Sequence, residues 1–194
     1  MDSCRLPPEH SSRRHWRWLG VVALVQALCC HAAAESAIRS IDIAYDGRTY
    51  VCDVVMLAPV PRSLAWDVLT DFEHMAQWVP NVRQSKVAQR SDQAVTVEQR
   101  GVVKYGLVSF PYATERRIEL HLPSTIHSTQ TKGSLQRVES LMTLESVGAA
   151  TRLTYHLELV PSRLAGAVMS TDFLEHELAE QFGAIIDEMT RRAH

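Results

Sequence analysis

The chain has 194 residues, 46% of them hydrophobic and 22% charged, which suits one globular domain and leaves too little length for two. The formal net charge is -2 at pH 7, so there is no basic excess to neutralise phosphates, and nucleic acid is not expected as a partner.

The first 34 residues read differently from the rest. Arg5, Arg13, Arg14 and Arg17 precede an apolar stretch that runs from Trp18 to Cys30 and is followed by His31 and three alanines. A charged start, a short apolar run and an A-x-A site compose a cleavable secretory signal peptide, with cleavage predicted after Ala34. The run is interrupted by Gln26 and falls short of the roughly 20 residues a spanning helix needs, so no stable membrane anchor is expected after cleavage. Ser12-Arg13-Arg14 leaves a twin-arginine export route open beside the general one. Residues 35–194 then form the mature domain, placed in the periplasm or secreted. It holds 20 acidic against 16 basic residues and a single cysteine, Cys52, so neither an internal disulfide nor a cysteine metal cluster is available.

In chain order, Ile41, Ile43 and Tyr45 alternate with polar residues. Asp46-Gly47 turns the chain into a second apolar run over 50–57, the pattern of a β-hairpin. Pro59 and Pro61 end the ladder. Leu64, Ala65, Trp66, Val68 and Leu69 fit a short helix with Pro61 near its first turn, and Asp71 is expected to cap a second one over 72–79. From Val82 to Val160 the alternation predicts about five further strands, marked by Val95/Val97, Val103/Tyr105/Leu107, Ile118/Leu120, Met142/Leu144 and Leu153 to Leu159. Leu164, Ala167, Val168, Thr171, Leu174, Leu178, Phe182, Ile185 and Met189 then step by threes and fours, which predicts one continuous amphipathic helix. Glu175, His176 and Glu177 are assigned to its charged side.

The segment APVPRSLAWDVLTDFEHMAQWVP, residues 58–80, resembles the opening of the polyketide cyclase/dehydrase and coenzyme-Q-binding group within the START-like (SRPBCC) superfamily. Pro123, Gly133 and Thr151 to Tyr155 ahead of Pro161 extend the resemblance, which covers residues 41–190. It implies an α+β helix-grip fold: a curved antiparallel sheet around a long C-terminal helix, with two short helices after the first strands. It further implies a cavity between sheet and helix that holds a hydrophobic small molecule such as a lipid, an isoprenoid or a polyketide-like compound. The quinone role of the mitochondrial relatives transfers poorly to an exported chain.

Motifs for a nucleophilic hydrolase, a zinc protease, a P-loop or a dinucleotide fold are absent. No catalytic residue, metal or cofactor is assigned, and no protein partner is named. The residues expected to contact the ligand are Trp78, Val97, Tyr105, Tyr112, Arg116, Ile118, Met142, Tyr155, Phe182 and Ile185. If Ile118 and Leu120 face inward, the two-residue period carries Thr114 and Arg116 with them. A buried arginine needs a carboxylate or a ligand anion. The sequence favours the other arrangement, in which Arg116 snorkels to solvent at the strand end. Asp53, on a face with Val51, Val55 and Leu57, is the candidate counter-charge. A binding protein is preferred. The alternative is a cyclase or dehydratase that uses tyrosine hydroxyls and Arg116 to polarise a carbonyl, for which no general base can be named. N-terminal sequencing of the exported protein is expected to begin at Glu35; recovery of intact Met1 in a membrane fraction contradicts cleavage.

Overall fold

A computed structural model of the chain describes residues 37–105, 108–167 and 169–194, with the side chains of Tyr105 and Val108 outside the description. They belong to one compact unit, Glu35–His194. The expected signal peptide lies outside the described residues, as do Leu107 and Val168.

The unit opens with a hairpin, β1 (Ile38–Tyr45) and β2 (Tyr50–Ala58). Its turn is held by the Asp46 carboxylate, whose Oδ1 accepts from the backbone N–H groups of Arg48 (2.8 Å) and Thr49 (2.7 Å). Gly47 supplies the φ of +93° that the turn requires. On β2 the buried face is Tyr50, Cys52, Val54, Met56 and Ala58. Asp53 therefore points outward, where it pairs with His156 Nδ1 at 2.7 Å, and it is not the partner of Arg116. The Cys52 thiol is fully enclosed, and burial pushes its pKa up to about 11.

Pro61 caps α1 (Arg62–Leu69), which buries Ala65, Trp66, Val68 and Leu69. The Thr151 hydroxyl donates to the Val60 carbonyl at 2.8 Å and fixes the entry to this helix. The second short helix expected over 72–79 is reduced to a single 3-10 turn, Met75–Gln77. Asp71 is occupied elsewhere: it pairs with His74 Nδ1 at 2.5 Å and accepts from Arg192 Nη2 at 2.7 Å. Phe72 is buried, and its carbonyl accepts from Ser85 Oγ at 2.5 Å.

Six strands follow: β3 (Val82–Arg90), β4 (Ala94–Tyr105), β5 (Val108–His121), β6 (Thr125–Gly133), β7 (Arg137–Val147) and β8 (Ala150–Val160). The expected count of about five misses β3 and β6 and splits β4 in two. All pairs are antiparallel, and the curved eight-stranded sheet runs β1-β2-β8-β7-β6-β5-β4-β3. Register shifts interrupt the ladder in the β3–β4 pair and, between Glu115 and Arg116, in the β5–β6 pair.

The C-terminal helix is not continuous. Four residues of α2 (Arg163–Gly166) are separated from α3 (Thr171–Arg192), and the Ser170 hydroxyl caps α3 by accepting from Phe173 N at 3.1 Å. Leu164, assigned to the buried stripe from its spacing, is 88% exposed. The stripe that does pack comprises Phe173, Leu174, Leu178, Phe182, Ile185, Ile186 and Met189, and α3 lies against β1, β2 and α1. At its C-terminal end Glu188 accepts from Arg191 Nε and Arg192 Nε, both at 2.7 Å, and Arg192 reaches across to Asp71.

These arginines hold the Glu188 carboxyl down to about 2, Arg191 contributing most. A depressed carboxylate stabilises the fold fully above the ordinary glutamate range, and the gain is lost as pH falls toward 2. Glu188→Gln is therefore expected to cost about 1–2 kcal/mol at pH 7, after allowance for the exposure of Arg191. Urea melts should show that difference closing as pH approaches 2.

Candidate functional site

Strand periodicity sends alternate side chains of β4 to β8 toward the concave side. In the half of the sheet next to β2 they are apolar: Met142, Leu144, Leu153 and Leu157 are all buried. Ser140 on β7 is an exception, and toward β3 polar groups recur among apolar ones as Ser85, Gln99 and Ser128; all four serine and glutamine side chains are no more than 9% exposed. Arg116 stands among this polar set.

Arg116 is directed inward, which overturns the strand-end arrangement. Its Nη2 donates to Gln99 Oε1 at 2.7 Å. Gln99 in turn donates from Nε2 to Ser85 Oγ (3.1 Å) and to Met75 Sδ (3.3 Å), so the chain of contacts ends on the Phe72 carbonyl. Every member except Arg116 is neutral. Its Nε is buried and has no hydrogen-bond partner, and no acid pairs with it among the described residues. Burial lowers its pKa, opposed by the neighbouring hydroxyls of Tyr155 and Tyr112. A bulge in the facing strand β6 lies at this position: Glu115 pairs with Lys132 and Arg116 with Gln130, leaving Thr131 of β6 as the extra residue.

The tyrosines flank the guanidinium. Tyr155 is half-buried, hydrogen-bonds Ser140, and meets Phe182 of α3 edge-on with ring centroids 4.9 Å apart. Burial raises the pKa of both tyrosines. Tyr112 lies opposite Gly101 on β4, and a methyl group there would come within 2.6 Å of its ring and 1.9 Å of the Asn81 carbonyl. Only glycine allows that approach. Asn81 Nδ2 then donates to Glu177 Oε2 on α3. Glu177 is 9% exposed, contrary to its assignment to the charged side, and its Oε1 is buried without a partner. Burial and the adjacent Glu180 push its pKa up to about 7, against His176 and the Asn81 bond.

Among the other expected ligand contacts, Val97, Ile118, Met142, Phe182 and Ile185 are core residues no more than 5% exposed. Val97 is the cross-strand neighbour of Arg116. Trp78 is half-buried beside the 3-10 turn, its Nε1 enclosed and unpartnered. Tyr105 ends β4, and its side chain lies outside the described residues. The structure thus brings Arg116, Tyr112 and Tyr155 together and joins Tyr155 to Phe182. Gln99, Ser85, Ser140, Asn81 and Glu177 were not foreseen. Two steps along from Val95 and Val97 reaches Gln99, two back from Met142 reaches Ser140, and three on from Leu174 reaches Glu177.

Two grooves, of about 110 and 220 Å³, lie on the opposite, outward face of the sheet. Their walls are ion-paired: Lys86 with Glu98 at 3.0 Å in one, and Arg137 with Glu139 at 2.7 Å in the other. One group of metal-capable side chains occurs among the described residues, His176, Glu177 and Glu180, with one atom from each within 4.8 Å of the others.

Over residues 58–184 the chain matches the family described as polyketide cyclase/dehydrase and lipid transport. No curated protein matches the sequence. Solved structures share the fold. An aromatase/cyclase from Streptomyces sp. R1128 aligns with a TM-score of 0.64 at 15% identity, covering 75% of this chain and 96% of that one. A START superfamily protein from Mycobacterium smegmatis gives 0.61 at 12% identity, covering 73% and 97%. A STAR-related lipid transfer protein from Xanthomonas axonopodis gives 0.54 at 14% identity, covering 77% and 98%.

Gln99 is the only polar side chain that bonds Arg116 among the described residues. Gln99→Leu strands the guanidinium and should cost about 2–4 kcal/mol, whereas the double variant with Arg116→Leu should recover most of that loss. Chemical denaturation of the four proteins in the cycle measures it; additive losses contradict the coupling.

Proposed function

The chain belongs to the polyketide cyclase/dehydrase and lipid transport family, and from that premise we propose that it is an exported binding protein for a hydrophobic small molecule, held between the concave face of the sheet and α3. Arg116 carries the reading. A guanidinium enclosed beside neutral groups lacks the counter-charge that normally justifies burial. An acceptor on a ligand supplies it. The ligand is therefore an apolar body, lipid, isoprenoid or polyketide-like, bearing a carboxylate, phenolate or carbonyl directed at the free Nε, with Tyr155, Phe182 and Met142 against the body. Phe182 and Met142 are 3% and 5% exposed, so a ligand enters by displacing side chains that otherwise fill the space. Export rests on the charged and apolar pattern of residues 1–34.

A second reading, a cyclase or dehydratase, draws on the same group. Tyr112 and Tyr155 flank Arg116, and this trio could polarise a ligand carbonyl.

The test is Arg116→Leu. Removing a charge that has no acid partner should leave the unliganded protein within about 1–1.5 kcal/mol of wild type. Mass spectrometry of organic extracts from protein purified from its native host should find an acceptor-bearing apolar molecule in wild type and none in the variant. Equal recovery from both proteins sinks the assignment, and turnover of the extracted molecule by wild type alone converts it to the enzymatic reading.

A further inference from the structure

We propose that His176, Glu177 and Glu180 form a binding site for a divalent cation of the zinc class, on α3 where that helix meets the start of β3. The site lies near Tyr112, at the margin of the interior ligand position, and its assignment does not depend on that ligand.

Helix geometry assembles the donors. His176 and Glu180 stand four residues apart and Glu177 and Glu180 three apart, so the side chains emerge as neighbours on one surface. One donor atom from each lies within 4.8 Å of the other two. Ligands about 2.0–2.2 Å from a tetrahedral ion sit roughly 3.4 Å apart, and small side-chain rotations close the difference.

The second observation is Glu177 itself. Only 9% of the residue is exposed, and its Oε1 is enclosed with no hydrogen-bond partner among the described residues. An enclosed carboxylate oxygen without a donor is costly, and the carboxylate of Glu180 beside it adds repulsion. A cation bound by both relieves the two penalties together. The other oxygen, Oε2, is held by Asn81 Nδ2, which is the way an outer-shell donor orients a metal-binding carboxylate.

The donor set selects the ion. One imidazole and two carboxylates suit Zn²⁺ or a similar first-row metal, with water completing the coordination. Ca²⁺ takes six to eight oxygens, which these residues do not supply. Two other histidine–acid groups differ. His127 meets Glu139 Oε1 at 3.1 Å and His156 meets Asp53 Oδ1 at 2.7 Å, and Arg137 already pairs with both Glu139 and Glu158. Those groups compensate one another on the outward face.

Asn81 ties the site to the sheet, because its backbone carbonyl accepts from Val102 N at 3.0 Å. A bound ion would therefore brace α3 against the β3–β4 edge through Glu177 and Asn81.

Chelator-treated protein titrated with Zn²⁺ against a chromogenic chelator should bind one equivalent. His176→Ala and Glu180→Ala are at exposed positions that leave the fold intact, and each should weaken that binding at least about tenfold. Zn²⁺ should also raise the melting temperature of wild type and not of the His176→Ala/Glu180→Ala double variant. The double variant His127→Ala/His156→Ala should behave as wild type. Zinc binding that survives loss of His176 and Glu180, or that disappears with His127 and His156, overturns the assignment, as does the absence of any one-equivalent binding.

Discussion

The α3 helix rests on one side of the sheet. Its apolar stripe meets β1, β2 and α1, and Phe182 reaches Tyr155 on β8. Beyond β8 the concave face runs on through β7, β6, β5 and β4 to β3, against which the Met75–Gln77 turn packs. A curved sheet and one straight helix cannot stay in contact along their whole width, and the composition follows that geometry. Where helix and sheet touch, the inward residues include Cys52, Val54, Met56 and Leu157; farther along, Gln99, Arg116 and Ser128 are interspersed with the buried Val95, Val97, Ile118 and Ile126. Among them Arg116 keeps a buried donor, Nε, that water or a ligand has to complete.

That division explains why the interior polar groups are organised as they are. Ser85, Gln99 and Arg116 hang in series from the Phe72 carbonyl, so the segment between α1 and β3 is fixed by the same bonds that orient the guanidinium. A change in what Arg116 contacts is transmitted by hydrogen bonds to a segment without regular α-helix. Asn81 performs a matching service on the other side, between β4 and α3. The ends of the 71–81 segment are thus held by Arg192 at Asp71 and by Glu177 at Asn81, both from α3.

The hairpin, α1 and the apolar strands were legible in the sequence because each obeys a simple period. Asp46-Gly47 dictates its turn, and Leu153 to Leu159 alternate without interruption. Strands β3 and β6 were hidden for a physical reason: their inward positions include Ser85, Ser128 and Gln130, and alternation of hydrophobicity marks a strand only when its buried side is apolar. The break before α3 was hidden by the opposite effect. Leu164 and Ala167 continue the spacing of the stripe, yet Ser170 turns its hydroxyl to the new helix and ends the old one. At the candidate site, periodicity placed Arg116 and Tyr155 on the inward face, but the direction chosen for Arg116 was wrong because one strand pattern cannot reveal that Gln99 waits on the neighbouring strand. Glu177 was misplaced because a glutamate next to a histidine and a glutamate reads as solvated surface, although it lies between Leu174 and Leu178 on the packed side and finds a partner in Asn81.

Cys52 sits at the centre of β2 with no exposed surface and a thiol pKa near 11. A thiol in that condition holds its proton at any physiological pH, and the thiolate is the species that attacks disulfides and reacts with peroxides. The described domain therefore presents no sulfur nucleophile while it is folded. It neither captures nor donates disulfides, and it asks nothing of an isomerase. The fold of the described residues is indifferent to the redox poise of its surroundings.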